Sequence, residues 1–134
     1  MVKNVTRNTL ITPGHILADS PAGRARGLMF TLPMKKAMVL KFPSETSVQL
    51  HMFFVFYPID VLFLDKDCRV VEILANFRPF TFYCAKHKAK FVVEVPAGSI
   101  SSSHTKIGDK IAFFQVVERR LKNERRLIVK ATRS

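Results

Sequence analysis

The chain has 134 residues, 48% of them apolar, with two cysteines and a formal net charge of +12. That length and apolar content exclude a disordered segment and fit one domain that buries a core. Two cysteines, Cys68 and Cys84, exclude a multi-bridge disulfide scaffold, although one bridge remains open.

The charge is uneven. Residues 1–50 carry +5, residues 51–118 only +1, and residues 119–134 carry +6. Basic ends around a near-neutral centre suit contact with a polyanion, and equally a solubilising surface. The first residues are polar and lack the apolar core of a signal peptide. The longest apolar run, Met52 to Leu64, is broken by Pro58 and Asp60 and is too short to span a bilayer. A cytoplasmic protein with reduced thiols is expected.

Short β-type runs dominate. Thr9–Ile11 and His15–Ala18 flank Pro13-Gly14 and predict an N-terminal hairpin. Ser20-Pro21 reads as an N-cap and first helical residue, opening a short helix over 21–28. Ala37–Phe42, ended by Pro43, is a strand, followed by Val48–Phe56 and Ile59–Leu64. The last is apolar on both faces and so should be central. Asp65-Lys66-Asp67-Cys68 is a hairpin turn returning through Arg69–Leu74, and it places Cys68, exposed, where a glycine with positive φ is favoured.

Residues 77–90 look irregular, Phe91–Val95 is a strand ended by Pro96, and Ser99–His104 forms one helical turn. Gly108-Asp109 turns into the strand Lys110–Val117. The expected class is a β-rich α+β fold: a strongly bent antiparallel or mixed sheet, or a partly closed small β-barrel, with one or two short helices. Parallel βαβ architecture is not expected, because helices do not alternate with the strands. Residues 1–118 form the single domain. Residues 119–134 form a basic C-terminal extension, whose Leu127-Ile128-Val129 is a candidate added edge strand.

Four segments, over roughly residues 10–115, resemble the uncharacterised bacterial and archaeal family called domain of unknown function 192. They are Arg24-Ala25-Arg26-Gly27-Leu28-Met29-Phe30; Met52 with Pro58-Ile59-Asp60-Val61-Leu62-Phe63-Leu64-Asp65; Glu94-Val95-Pro96-Ala97-Gly98; and Ile107-Gly108-Asp109-Lys110-Ile111. The resemblance implies a small β-rich domain and brings no reaction. It also shows departures. The family's Phe-Trp-Met-Lys-Asn is Leu50-His51-Met52-Phe53-Phe54 here, so two phenylalanines replace a polar pair. The family's arginine after Phe/Tyr is Thr31, and its turn glycine is Cys68.

Asp60 stands out chemically, because a carboxylate inside a buried run demands a partner. Arg24 or Arg26 on the short helix is the natural one, and Arg24 is expected to reach it, as a buried brace or as a pocket wall. The candidate ligand pocket is therefore Arg24, Arg26, His51 and Asp60, with His51 either a contact residue or simply a half-buried strand residue. Ser101-Ser102-Ser103-His104 reads as a turn or short cap, not a triad.

No metal site is expected. Cys84-x-x-His87 is half a zinc pattern, and Met29, Met34, Met38 and Met52 read as core filler more readily than as copper ligands. Aromatic and basic residues interleave over 77–90, either as a stacking surface or with the phenylalanines turned inward. The candidate polyanion contacts are Arg78, Lys86, Lys88, Arg119, Arg120, Lys122, Arg125, Arg126 and Lys130. The leading expectation is a non-catalytic module binding RNA or DNA, without cofactor. The alternatives are a small-molecule or carbohydrate pocket, an enzyme, or a partner for an acidic protein surface.

Overall fold

The computed structural model describes residues 1–26, 28, 29, 31, 33, 35–121 and 124–131; the side chains of 25, 26, 115–121 and 124–131 are not described. A five-stranded sheet forms the centre. It contains β3 (Gly14–Ala18), β4 (Lys36–Thr46), β6 (Ile59–Leu64), β7 (Val70–Phe77) and β9 (Ala89–Pro96), in the order β3-β4-β9-β6-β7.

Every residue of β6 is buried, as apolarity on both faces requires. Ile59, Val61 and Phe63 share one core with Met38, Leu40 and Val92. Leu62 and Leu64 share the opposite core with Val39, Val93 and Val95. Period-2 alternation thus divides the sheet into two apolar faces.

A different layer covers each face. On the Leu62 face lie Val2, Ile11, Ile111 and Phe113. They come from β1 (Val2–Asn4), β2 (Thr9–Thr12) and β10 (Ile111–Leu121) of a four-stranded sheet whose fourth member is β11 (Glu124–Ala131), order β11-β10-β1-β2. On the Val61 face lie Leu50 and Tyr83, from a two-stranded ribbon of β5 (Gln49–His51) and β8 (Phe82–Cys84). Two short helices complete the chain, α1 (Pro21–Arg26) and α2 (Ser99–Ser102). The fold is β-rich with bent, mixed sheets, none closed into a barrel.

Several local expectations need correction. The predicted hairpin across Pro13-Gly14 does not form. β2 pairs with β1 in one sheet, while β3 pairs with β4 in the other, so Pro13 is where the chain changes sheets. The β3–β4 pairing is parallel, Gly14 opposite Lys36 through Ala18 opposite Leu40, and α1 lies in the crossover. One βαβ-type connection therefore exists where none was expected; parallel neighbours need such a long return.

β4 passes through Pro43 instead of ending there. The ladder to β9 shifts register between Lys41 and Thr46, so the proline falls where no regular donor is needed. The predicted strand 48–56 shrinks to Gln49–His51, because Met52 turns the chain: its carbonyl accepts the amides of Val55 and Phe80, and Phe54 adopts φ 60°.

Cys68 has φ 61°, as the hairpin turn demands, but it is half-buried against the core, not exposed. Burial pushes its thiol pKa up, as do Asp65 and Asp67, against the opposing pull of Lys110 and Lys90. Ser20 serves as the expected cap, its hydroxyl accepting the amide of Gly23 at 3.0 Å.

Candidate functional site

The β5–β8 ribbon carries the most unusual surface. Gln49 pairs with Cys84, Leu50 with Tyr83 and His51 with Phe82. Alternation turns Val48, Leu50 and Met52 into the core and leaves Gln49, His51 and Phe53 outside. On the other strand Phe80, Phe82, Cys84 and Lys86 are exposed, while Tyr83 packs inward. Phe53, Phe54, Phe56, Phe80 and Phe82 are between 46% and 64% exposed, a concentration of apolar rings that monomer surfaces seldom show.

The rings organise one another. His51 stacks on Phe53 with centroids 5.2 Å apart, and Phe54 and Phe56 meet Phe80 edge-on at 6.4 and 5.5 Å. The expectation for 77–90 is thus split: Phe77 is buried, whereas Phe80 and Phe82 face outward. No acid occurs in residues 46–59 or 73–93, while Arg78, Lys86 and Lys88 are exposed.

Beside the ribbon, beneath α1, lies a cavity of about 110 Å³. Arg24, Leu40, His51, Met52, Val55 and Glu94 are among its walls. Glu94 stands on β9 between Met38 of β4 and Val61 of β6, on the Val61 face. It is only 9% exposed, and among the described residues its carboxyl has no hydrogen-bond or ionic partner. Burial alone pushes its pKa up to about 7. Glu94 also lines a neighbouring cavity of about 120 Å³ with Leu28, Lys36, Tyr57 and Pro96.

Arg24 is held firmly: one guanidinium nitrogen donates to the carbonyls of Asp19 at 2.6 Å and Lys41 at 2.9 Å, and the group lies 4.9 Å from the centre of the Phe42 ring. The Nδ1 of His51 accepts the amide of Phe53 at 3.3 Å.

Asp60 does not belong to this cavity, and its expected pairing with Arg24 is not formed. It projects to the Leu62 face, opposite Val95, away from the ribbon. Its carboxylate accepts three backbone amides instead, Asn76 at 2.9 Å, Gly98 at 3.0 Å and Ile100 at 3.1 Å. It braces the β7 irregularity at Asn76, where φ is 52°, and the start of α2. A buried carboxylate needs donors, and peptide amides supply them as well as an arginine does.

Glu72 is a third buried acid. It accepts the Tyr83 hydroxyl, the amides of Lys86 and His87, and a bond from His87 Nδ1 at 2.8 Å. Burial pushes its pKa up, but these bonds outweigh it and hold the carboxyl below the usual range; Tyr83 in turn rises to about 12, chiefly through its bond to Glu72. This latch pins the chain following β8.

Of the expected pocket residues, the structure brings Arg24 and His51 to one cavity and sends Asp60 to the other face. The side chains of Arg26, Arg119, Arg120, Arg125, Arg126 and Lys130, and Lys122 and Met34 entirely, lie outside the described residues. Met38 and Met52 are core residues. Glu94 enters the sequence reading only as part of a family segment and not as a candidate site residue, although the signal was present: an acid inside the apolar run Phe91-Val92-Val93-Glu94-Val95, the same pattern that marks Asp60.

Residues 6–113 match the family profile described as "Uncharacterized ACR", domain of unknown function 192. A UPF0127 protein of Thermococcus sibiricus is 41% identical over 113 residues, covering 83% of this chain and 73% of that one. A UPF0127 protein of Pyrococcus horikoshii is 38% identical over 117 residues, covering 85% and 99%. Among solved structures, a Sinorhizobium meliloti protein described as a "putative transcription regulator" superposes with a TM-score of 0.69 at 26% identity, covering 72% of this chain and 78% of that one. A Novosphingobium aromaticivorans protein of unknown function gives 0.67 at 30% identity, covering 72% of each.

Proposed function

The chain belongs to the domain-of-unknown-function 192 family, and we propose that this member is a binding module whose β5–β8 ribbon contacts single-stranded nucleic acid. The observation that carries the reading is the exposed Phe53, Phe54, Phe56, Phe80 and Phe82 cluster, on two segments that contain no acid of their own and that continue to Lys86 and Lys88. Bases stack on aromatic rings regardless of sequence, and cations alongside neutralise phosphates. The Asp65-Lys66-Asp67 turn lies at the opposite end of β6 from Phe56, so the negative charge of that hairpin is kept away from the rings. The +12 net charge favours any polyanion; the exposed rings favour a strand with accessible bases over a duplex. The description of the Sinorhizobium meliloti neighbour as a "putative transcription regulator" agrees with nucleic acid as the partner class and belongs to that protein alone.

The test is fluorescence anisotropy of labelled single- and double-stranded RNA and DNA across a salt series. Binding to single strands at micromolar concentration or tighter, weakening steeply with salt and exceeding duplex binding, is the expected result. Equal binding to duplex and single strand would leave the rings without a role, and an absence of binding at low salt would end the proposal. The competing small-molecule reading draws on different walls, those of the Glu94 cavity.

A further inference from the structure

We propose that the cavity over Glu94 binds a small zwitterion of the α-amino-acid class, with its ammonium against the Glu94 carboxylate and its anionic end toward Arg24. The site is separate from the nucleic-acid surface, although His51 borders both.

The Glu94 carboxyl is nine-tenths buried, has no partner among the described residues, and faces a cavity. Asp60, Glu72 and Asp109 are also buried, and each receives several donors. Asp109, for example, accepts Asn4, Arg7 and the Lys106 amide. Glu94 alone of these four has no donor among the described residues, and it lines a cavity where a ligand donor could stand. An ammonium group supplies three donors and a full charge, the strongest complement a lone buried carboxylate can receive.

A plain amine would meet Arg24 and His51 at the same cavity, so the ligand needs a negative group as well. The Arg24 guanidinium offers it: the bonds to Asp19 and Lys41 both leave from one terminal nitrogen, and the group is clamped over Phe42. Apolar walls from Leu28, Leu40, Met52 and Val55 would cover a short aliphatic body. A space of about 110 Å³ admits few heavy atoms, well under drug-sized pockets of roughly 300 Å³ and more.

The Glu94 carboxyl titrates near pH 7 in the empty site, so an ammonium ligand would drive its proton off. The charged and titratable groups around it are Arg24 from α1, Lys36 from β4, His51 from β5 and Tyr57 before β6; β6 itself contributes apolar side chains.

Calorimetry on the full chain with glycine, L-alanine, L-valine and L-proline tests the proposal, with isobutylamine, isobutyrate and isobutanol as single-charge and neutral probes. At least one amino acid should bind and raise the Tm. Its affinity should increase about tenfold per pH unit below pH 7 and level off above. Glu94→Gln should weaken it tenfold or more and flatten that profile, which separates Glu94 from His51. Isobutylamine, isobutyrate or isobutanol binding as tightly as every amino acid would overturn the assignment, as would binding by none of the four. The wild-type pH profile and probe series decide the matter even if the substituted chain fails to fold.

Discussion

Asp60 and Glu94 lie on adjacent strands, one register step apart, and the pleat sends them to opposite faces of the sheet. Asp60 meets three peptide amides and is satisfied; Glu94 meets a cavity. Asp60→Asn puts an amide donor where the carboxylate accepts, leaving at least one buried N–H unpaired. A loss of about 3 kcal/mol in chemical denaturation is expected, and unchanged stability would contradict the brace.

Glu94 behaves oppositely. Its folded pKa of about 7 lies above its ordinary 4.5. Between those values the folded state holds a proton that the unfolded state has released. Its contribution to stability is therefore full below pH 4.5, declines as pH rises to about 7, and is flat above. The decline amounts to at most about 3 kcal/mol, from 1.36 kcal/mol per pKa unit. Glu94→Gln should abolish this slope and exceed the wild type at pH 8; a slope that persists in the variant would show that another group causes it. The sequence disclosed both acids by the same pattern. It could not disclose their partners, because the donors to Asp60 are backbone amides 16, 38 and 40 residues away.

At the scale of elements, the strands with strong local patterns were legible. Ile59–Leu64 appears with its predicted bounds, and the hairpin at Asp65–Cys68 forms with the predicted positive φ. What failed was pairing. Nothing in Thr9–Ala18 distinguishes a hairpin from a chain crossing between sheets, since the choice rests on β1 and β4, which lie outside that window. Residues 77–90 looked irregular because β8 is only three residues long, pairs with an equally short β5, and is followed by a side-chain latch.

That latch has testable consequences. The Glu72 carboxyl is held below its ordinary pKa, so its stabilising effect is complete above that value and disappears as pH falls through the lower folded pKa. At neutral pH, Glu72→Gln should loosen the turn and speed tryptic cleavage after Lys86 or Lys88 about tenfold, corresponding to about 1.4 kcal/mol of lost protection. An unaltered cleavage rate would mean that the β5–β8 ladder and the apolar face hold the ribbon without the latch.

Across the whole molecule, one sheet separates two environments. Its Leu62 face is sealed by the four-stranded sheet, whereas its Val61 face is covered by a narrow ribbon that leaves a cavity beside it and a row of rings outside. The β-rich class follows from short apolar runs between turn residues. The functional side of the fold could not be read so directly, because whether Phe80 and Phe82 face in or out depends on the register of β8 against β5.

The central claim is that this ribbon, and not merely the positive charge of the chain, recognises single strands. The direct measurement is single-stranded RNA affinity at moderate salt for the wild type, a Phe80→Ala/Phe82→Ala chain, and a chain with Arg119, Arg120, Arg125 and Arg126 changed to glutamine. Exposed rings can be removed with little loss of stability, and each stacked base contributes about 1–3 kcal/mol. The phenylalanine variant should therefore lose at least tenfold in affinity together with its preference over duplex, while the arginine variant keeps that preference. A phenylalanine variant that binds like the wild type, with the loss confined to the arginine variant, would contradict the account.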